Sequence, residues 1–142
     1  MKKDFFNKIE NWALSDMLNI AEFIKQEWAY ANSGYFKSYW GKAIDHSDAL
    51  FLELHTGGFS GNERIIKYIE KNKYLFLLFH TKWERGGHYY FEINPKNLGY
   101  KKIQETADSI GVSRQMLHRM KDKYEFISVG KKLRTKMCRL KI

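Results

Sequence analysis

The sequence has few of the features that mark secreted or membrane proteins. Its 142 residues include one cysteine, so no disulfide can form within the chain. The longest apolar run, Tyr74 to Phe79, is far shorter than the ~20 residues that a membrane-spanning helix needs. The N-terminal segment MKKDFFNKIENWA lacks the apolar stretch of a signal peptide, because Asp4, Asn7 and Glu10 interrupt it. These absences favour a cytoplasmic protein with no membrane partner.

The chain also has a single proline, Pro95, and it lies in the strongest loop signal, NPKNLG. A shift in charge coincides with this loop. Residues 1–97 carry 13 Lys and Arg against 12 Asp and Glu, a balance of +1, whereas residues 98–142 carry 12 against 4, a balance of +8. We therefore expect two domains, 1–97 and 98–142. The basic second domain is typical of a nucleic-acid-binding module or, alternatively, of a solvated lysine-rich surface.

Residues 1–97 have the pattern of an α+β domain. Apolar residues from Phe5 to about Asn32 recur at helical spacing. The segment ALFLELHT predicts a mostly buried strand, and GGFSGNERIIKYIEKN predicts a helix capped by the Ser60 and Glu63 pair. The segment KYLFLLFHTKWERGGHYYFEI predicts two strands joined through ERGG. We expect helices packed on a small, mainly antiparallel sheet.

Residues 103–120, IQETADSIGVSRQMLHRM, satisfy several constraints of two helices joined by a tight turn. If Ile103 is position one, Ala107 is at position five, where the helices cross, and Gly111 is at the turn, where a positive φ favours glycine. Ser113 is well placed to cap the second helix. The positions expected to be buried hold Ile110, Val112, Leu117 and Met120.

This pattern resembles the helix-turn-helix family of bacterial and phage DNA-binding proteins, over residues 100–124. Thr106 departs from it, since the family prefers an apolar residue there. The resemblance implies a second helix at about 114–123 that enters the major groove. Its outward residues would read bases or contact phosphate, while Met116 would be buried with Leu117 and Met120. A plain helical hairpin with a glycine turn is the alternative.

The C-terminal segment YEFISVGKKLRTKMCRLKI predicts that Phe126–Val129 and Leu133–Cys138 pair about GKK. This hairpin resembles the wing of winged helix-turn-helix proteins; a partly disordered basic tail is the alternative. Its cations would lie against the DNA backbone. The residues expected to contact DNA in the helix and the wing are Ser113, Arg114, Gln115, His118, Arg119, Lys121, Lys123, Lys131, Lys132, Arg134 and Lys136.

The N-terminal part holds weaker chemical signals. ELHTGGFSGNE has the place of a phosphate-binding loop but not its lysine motif, so a turn before a helix is the simpler interpretation. His46, His55, His80 and His88, with Glu53 and Glu92, would suit zinc or acid–base chemistry, but no short metal-binding spacing supports it. We therefore expect no catalytic or metal site and no cofactor. The aromatic region 28–40 suits either a core or a protein-binding patch.

The sequence therefore predicts a small DNA-binding protein, a transcriptional regulator that reads double-stranded DNA with a C-terminal helix-turn-helix. The segments ALFLELHTGGFSGNE and RGGHYYFEI are similar to small phage and prophage proteins of unassigned function, which implies a mobile-element origin. The N-terminal domain would form a homodimer or bind a partner. One alternative is an inhibitor of a host defence system, such as an anti-CRISPR, that binds a host protein through this domain. A metal-dependent enzyme using the histidines and glutamates is the other.

Overall fold

The computed structural model describes residues 3–141, which form helices and two antiparallel sheets, so the expected α+β class is confirmed. The chain divides into two compact units. The first contains the described residues up to Tyr39 together with Leu50–Ile93, and the second contains Trp40–Ala49 together with the chain from Asn94 onward. The sequence placed the boundary after residue 97 and assigned Trp40–Ala49 to the first domain. This segment lies in the second unit because Asn94 donates a hydrogen bond to Ser47 Oγ (2.6 Å).

The apolar run near the N-terminus forms helices, as expected, but they are short and interrupted. They are α1 (Lys3–Glu10), a 3-10 turn (Leu14–Asn19) and α2 (Ile20–Lys25). Asp16 has a non-helical backbone (φ −109°, ψ 17°), which separates the helical segments. The run was expected to continue to about Asn32. It ends earlier because Trp28 turns into the core and Tyr30 takes a left-handed conformation at φ 56°.

The first sheet has four strands in the order β1-β2-β4-β3. They are β1 (Phe36–Lys42), β2 (Asp48–His55), β3 (His80–Glu84) and β4 (His88–Ile93), and β4 pairs antiparallel with both β2 and β3. The predicted strand at 49–56 is confirmed, but its burial alternates. Leu52 and Leu54 are buried, while Glu53 and His55 on the other face are half-buried. One face of this sheet therefore contributes to the core and the other carries polar and aromatic side chains.

Helix α3 (Ser60–Lys71) is present as expected, but the predicted capping box is wrong. The helix begins at Ser60, so the residue at the capping position is Phe59, which makes no side-chain cap. A buried asparagine on the first turn makes the specific contacts instead. Asn62 accepts a hydrogen bond from the Ala29 N–H (2.8 Å) and donates to the Thr56 carbonyl (3.3 Å).

The first strand of the predicted pair was expected to begin near Tyr74, and this is wrong: Leu75–Phe79 is a π-helical turn. The cause is Asn72, whose side chain is 1% exposed. Its Oδ1 accepts hydrogen bonds from the N–H groups of Tyr74 and Leu75, both at 3.0 Å, so the chain is held in a turn. Its Nδ2 donates to the carbonyls of Ile9 (2.8 Å) and Trp12 (3.2 Å).

The second unit contains a sheet of three strands in the order β5-β7-β6. The strands are β5 (Lys101–Lys102), β6 (Tyr124–Val129) and β7 (Thr135–Leu140), and two helices, α4 (Ile103–Ile110) and α5 (Arg114–Arg119), lie between β5 and β6. The buried cluster of this unit is Ile103, Ala107, Leu117, Tyr124 and Cys138. Over residues 3–141, no helix combines the length and apolar character required to cross a membrane.

Candidate nucleic-acid interface

Helices α4 and α5 are joined by a turn at Gly111. This residue has φ 72°, and the Val112 N–H bonds to the Ala107 carbonyl (3.1 Å), which closes the end of α4. Ser113 then caps α5, because its Oγ accepts a hydrogen bond from the Met116 N–H (3.1 Å). The expected positive φ at Gly111 and the expected cap at Ser113 are both confirmed. The local sequence therefore determines that a helix is followed by a tight turn and then by a capped second helix.

The packing of the two helices agrees only in part with the expected burial. Ala107 and Leu117 are fully buried, as expected for the crossing point and the core face. Ile110 and Met116 were expected to be buried, and this is wrong, since they are 40% and 47% exposed. Helix α5 ends at Arg119 instead of Lys123. Helix α5 is so short that only Leu117 is fully buried in the core. Its neighbour in sequence, Met116, points about 100° away, because one helical turn takes 3.6 residues.

The predicted pairing in the C-terminal segment is confirmed. Strands β6 and β7 form an antiparallel hairpin with Phe126 opposite Cys138 and Val129 opposite Thr135. The second strand begins later than expected, because Leu133 takes a left-handed conformation at φ 52° within the turn. Lys136 Nζ donates to Ser128 Oγ across the hairpin (2.7 Å), which fixes the direction of this lysine side chain.

Every residue that the sequence assigned to DNA contact is exposed. Three of them, Arg114, Arg134 and Lys136, line one concave surface of about 260 Å³, which we call the basic groove. The other residues lining the basic groove are Lys102, Ile103, Gln104 and Thr135. The start of α5 and the hairpin therefore border the same groove. Lys102 and Gln104 were not assigned to DNA contact, although the Lys101–Lys102 pair beside the first helix was a signal in the sequence.

The remaining predicted contacts lie outside the basic groove. Lys121 and Lys123 follow α5 in the turn before β6, and Lys131 and Lys132 lie in the turn of the hairpin. The His118 ring stacks on Phe126, with centroids 5.4 Å apart and planes 23° apart. Its position is therefore set by β6 as well as by α5.

The cations of the basic groove differ from Arg139, a half-buried arginine of the same unit, in the partners that they contact. Arg139 forms an ion pair with Glu125 and donates to the Leu98 carbonyl (2.7 Å), so its charge serves the fold. Among the ion pairs of the described chain, none involves Lys102, Arg114, Arg134 or Lys136. Four cations without an ion-pair partner among the described residues, around one groove, attract a polyanion.

Comparisons of the chain with protein-family models, with curated proteins and with solved structures find no match. Functional assignment therefore depends on the geometry of the molecule.

Proposed function

We propose that the second unit is a winged helix-turn-helix that binds double-stranded DNA, in a transcriptional regulator of phage or mobile-element type. The basic groove is the observation that carries this proposal. It combines the first residue of α5 with two cations of the β6–β7 hairpin. In DNA-binding proteins of this kind, the start of the second helix approaches base edges. The neighbouring cations neutralise phosphates.

Two sets of side chains have different roles in this proposal. Arg114 and Gln115 lie on the first turn of α5 and are exposed, and their planar groups match the donor and acceptor patterns of guanine and adenine. Lysines hold compact charges that suit phosphate, so Lys102, Lys132 and Lys136 fix the register of the complex without reading its sequence. Affinity for any duplex then comes mainly from the second set and sequence preference from the first.

The proposal is tested by gel shifts of the full chain on duplex DNA at several salt concentrations. The test variant replaces Arg114, Arg134 and Lys136 with glutamine. The control variant replaces Lys8, Lys67 and Lys73, three exposed lysines of the first unit, so that both variants lose the same charge. Each lost phosphate contact reduces the slope of log K against log salt by about 0.9.

We expect the test variant to lose most of its DNA affinity and to show a shallower salt dependence, while the control variant binds like the wild type. Equal losses in both variants would mean that net charge alone attracts DNA and that the basic groove is no binding site. If the wild type binds no duplex at all, the proposed function is wrong and the inhibitor alternative becomes the stronger hypothesis.

A second prediction separates sequence reading from positioning. Arg114→Ala is expected to cost about 1–3 kcal/mol on the preferred site and to relax sequence preference at one base pair. Lys132→Ala is expected to weaken binding to all sequences alike, because a lysine in the hairpin turn contacts phosphate. Selection of binding sites from a random DNA pool, carried out with both variants, measures the difference. An unchanged selected sequence with Arg114→Ala would show that α5 does not read the bases.

A further inference from the structure

The half-buried face of the first sheet carries titratable side chains that the DNA-binding proposal does not use. The register places Glu53 of β2 opposite Tyr90 of β4, and His55 opposite His88. The two histidine rings meet across the strands, with Nδ1 to Nδ1 at 2.7 Å. In residues 3–141, no cluster of three His, Cys, Asp or Glu is arranged to hold a metal ion.

Four of these side chains form a series joined by three polar contacts. The Tyr39 hydroxyl on β1 donates to Glu53 Oε2 (2.6 Å), and Glu53 Oε1 lies 3.7 Å from His55 Nε2. His55 Nδ1 then meets His88 Nδ1. The side chains of Glu53 and His55 are 23% and 18% exposed, so the chain of contacts is held in place yet reached by solvent.

One tautomer of His55 turns its Nε2–H towards the Glu53 carboxylate, which can only accept a proton. The Nδ1 of a neutral His55 is then an acceptor, and the 2.7 Å contact requires His88 Nδ1 to carry a proton. A neutral His88 is left with a lone pair on Nε2. This nitrogen is the free basic end of the series.

The charges around the pair favour the neutral form of His55. Partial burial lowers the pKa of His55, and the neighbouring His88 and Lys37 lower it further, while the Glu53 carboxylate opposes them. The hydrogen bond to Glu53 raises the pKa of Tyr39 to about 12, so Tyr39 stays a donor at neutral pH. The groups that face the pair are Lys37 and Tyr39 on β1, Glu53 on β2, Lys82 and Glu84 on β3, and Tyr90 on β4.

Access to His88 Nε2 depends on a glycine. A Cβ atom at Gly86 would lie 3.3 Å from Nε2, so any side chain there would press against the basic nitrogen. Gly86 also has φ 98°, a conformation that other residues rarely adopt. The turn between β3 and β4 therefore leaves this end of the series open.

We propose that the first unit cleaves single-stranded RNA with His88 as the general base. Tyr39, Glu53 and His55 are positioning residues. His88 Nε2 takes the proton of a ribose 2′-hydroxyl, and the 2′ oxygen forms a bond to the adjacent phosphorus. The bond from phosphorus to the 5′ oxygen breaks, and this oxygen takes a proton from water. The products are a 2′,3′-cyclic phosphate and a 5′-hydroxyl. This inference does not rest on the proposed DNA binding.

The same face has the side chains that RNA recognition needs. Tyr39 stacks on Phe51, with centroids 5.6 Å apart and planes 13° apart, and Tyr39 is 46% exposed. An exposed aromatic ring on a sheet is a platform for an unpaired base. Lys37 and Lys82, on the strands that flank the pair, supply cations for phosphate; Lys82 also pairs with Glu84 (3.3 Å). RNA carries its own nucleophile, so one base suffices to start the reaction.

The first test uses the wild-type protein and changes only the substrate. A single-stranded DNA oligonucleotide with one ribonucleotide is incubated with the full chain in EDTA. A second oligonucleotide carries a 2′-O-methyl group at that ribonucleotide. We expect cleavage at the ribonucleotide, with a cyclic phosphate product, and no cleavage of the methylated strand. An intact first oligonucleotide, or equal cleavage of both, would overturn the proposal.

The second test assigns the activity to His88. His88→Ala is expected to lower the cleavage rate by about 100-fold or more, the usual contribution of a general base. The control is His46→Asn, which changes an exposed histidine of the second unit and keeps a residue that tolerates its φ of 68°. Wild-type activity in His88→Ala would overturn the assignment. Thermal melting of each variant verifies that it folds.

The third test follows Glu53 as a positioning residue. The Glu53 carboxylate opposes the lowering of the His55 pKa that burial and His88 cause, so Glu53→Gln should lower both the cleavage rate and the pKa of His55, which NMR titration of its ring measures. A lower rate with an unchanged His55 pKa would show that Glu53 supports only the fold, and the proposed relay would be wrong.

Discussion

Asn72→Ala is expected to lower the free energy of unfolding by about 4 kcal/mol, since two buried and two partly buried backbone groups lose a partner, and each buried loss costs about 1–3 kcal/mol. The side chain is 1% exposed, and it donates to the carbonyls of Ile9 and Trp12 while accepting from the N–H groups of Tyr74 and Leu75. One amide therefore ties the end of α1 to the π-helical turn. Urea denaturation followed by circular dichroism measures the loss.

Two further variants locate the cause. Asn7→Ala removes an exposed asparagine side chain from α1 and is expected to change stability by less than about 0.5 kcal/mol. Asn72→Asp keeps both acceptor contacts but places a carboxylate against the Ile9 and Trp12 carbonyls, so it should be as destabilising as alanine at neutral pH and less so when protonated. If Asn72→Ala unfolds at the wild-type urea concentration, these hydrogen bonds do not hold the turn.

Gly111→Val is expected to lower stability by about 2 kcal/mol and to remove the proposed DNA binding. Gly111 has φ 72°, and a left-handed backbone costs other residues about 1–2 kcal/mol, with more for β-branched side chains. No atom lies within 4 Å of the position that a Cβ would occupy, so the cost comes from the backbone and not from a clash. Relief of this strain would rotate α5 away from the hairpin and open the basic groove. Thermal melting and gel shifts measure the two effects.

The matched control for this prediction is Gly111→Asn. Asparagine adopts the left-handed conformation more readily than other residues with a side chain, and space for it is open at this turn. We expect Gly111→Asn to retain most of the stability and of the proposed DNA binding. Equal behaviour of the valine and asparagine variants would show that the conformation of Gly111 does not control the turn.

The two short helices α4 and α5 and the turn between them were predictable because their signals are local. The positive φ at Gly111 and the cap at Ser113 involve contacts between residues at most five positions apart. The pairing of β6 with β7 also depends on residues that are close in sequence, on the two sides of one turn. The exposure of Met116 was not predictable in the same way, since it depends on how soon α5 ends.

The N-terminal unit was harder to predict where a buried polar group overrides an apolar pattern. The run YLFLLF has the composition of a strand, but Asn72 binds its first N–H groups and bends it into a turn. Ser60 and Glu63 have capping-box spacing, yet the helix begins one residue too early for it. The side-chain amide of Asn62 bonds to a residue 33 positions away in sequence, and that of Asn72 to residues 60 and 63 positions away. No spacing in the sequence indicates such partners.

The sequence by itself determined the α+β class, the concentration of positive charge after residue 97, the turn at Gly111 and the hairpin that follows it, because composition and short-range backbone preferences govern these features. Only the tertiary structure decided that Arg114, Arg134 and Lys136 share one groove and that Trp40–Ala49 belongs to the second unit. It also decided that His55 and His88 meet. They are 33 residues apart, and the register of β2 on β4 places them opposite each other; a slip of one residue would turn one ring to the other face of the sheet.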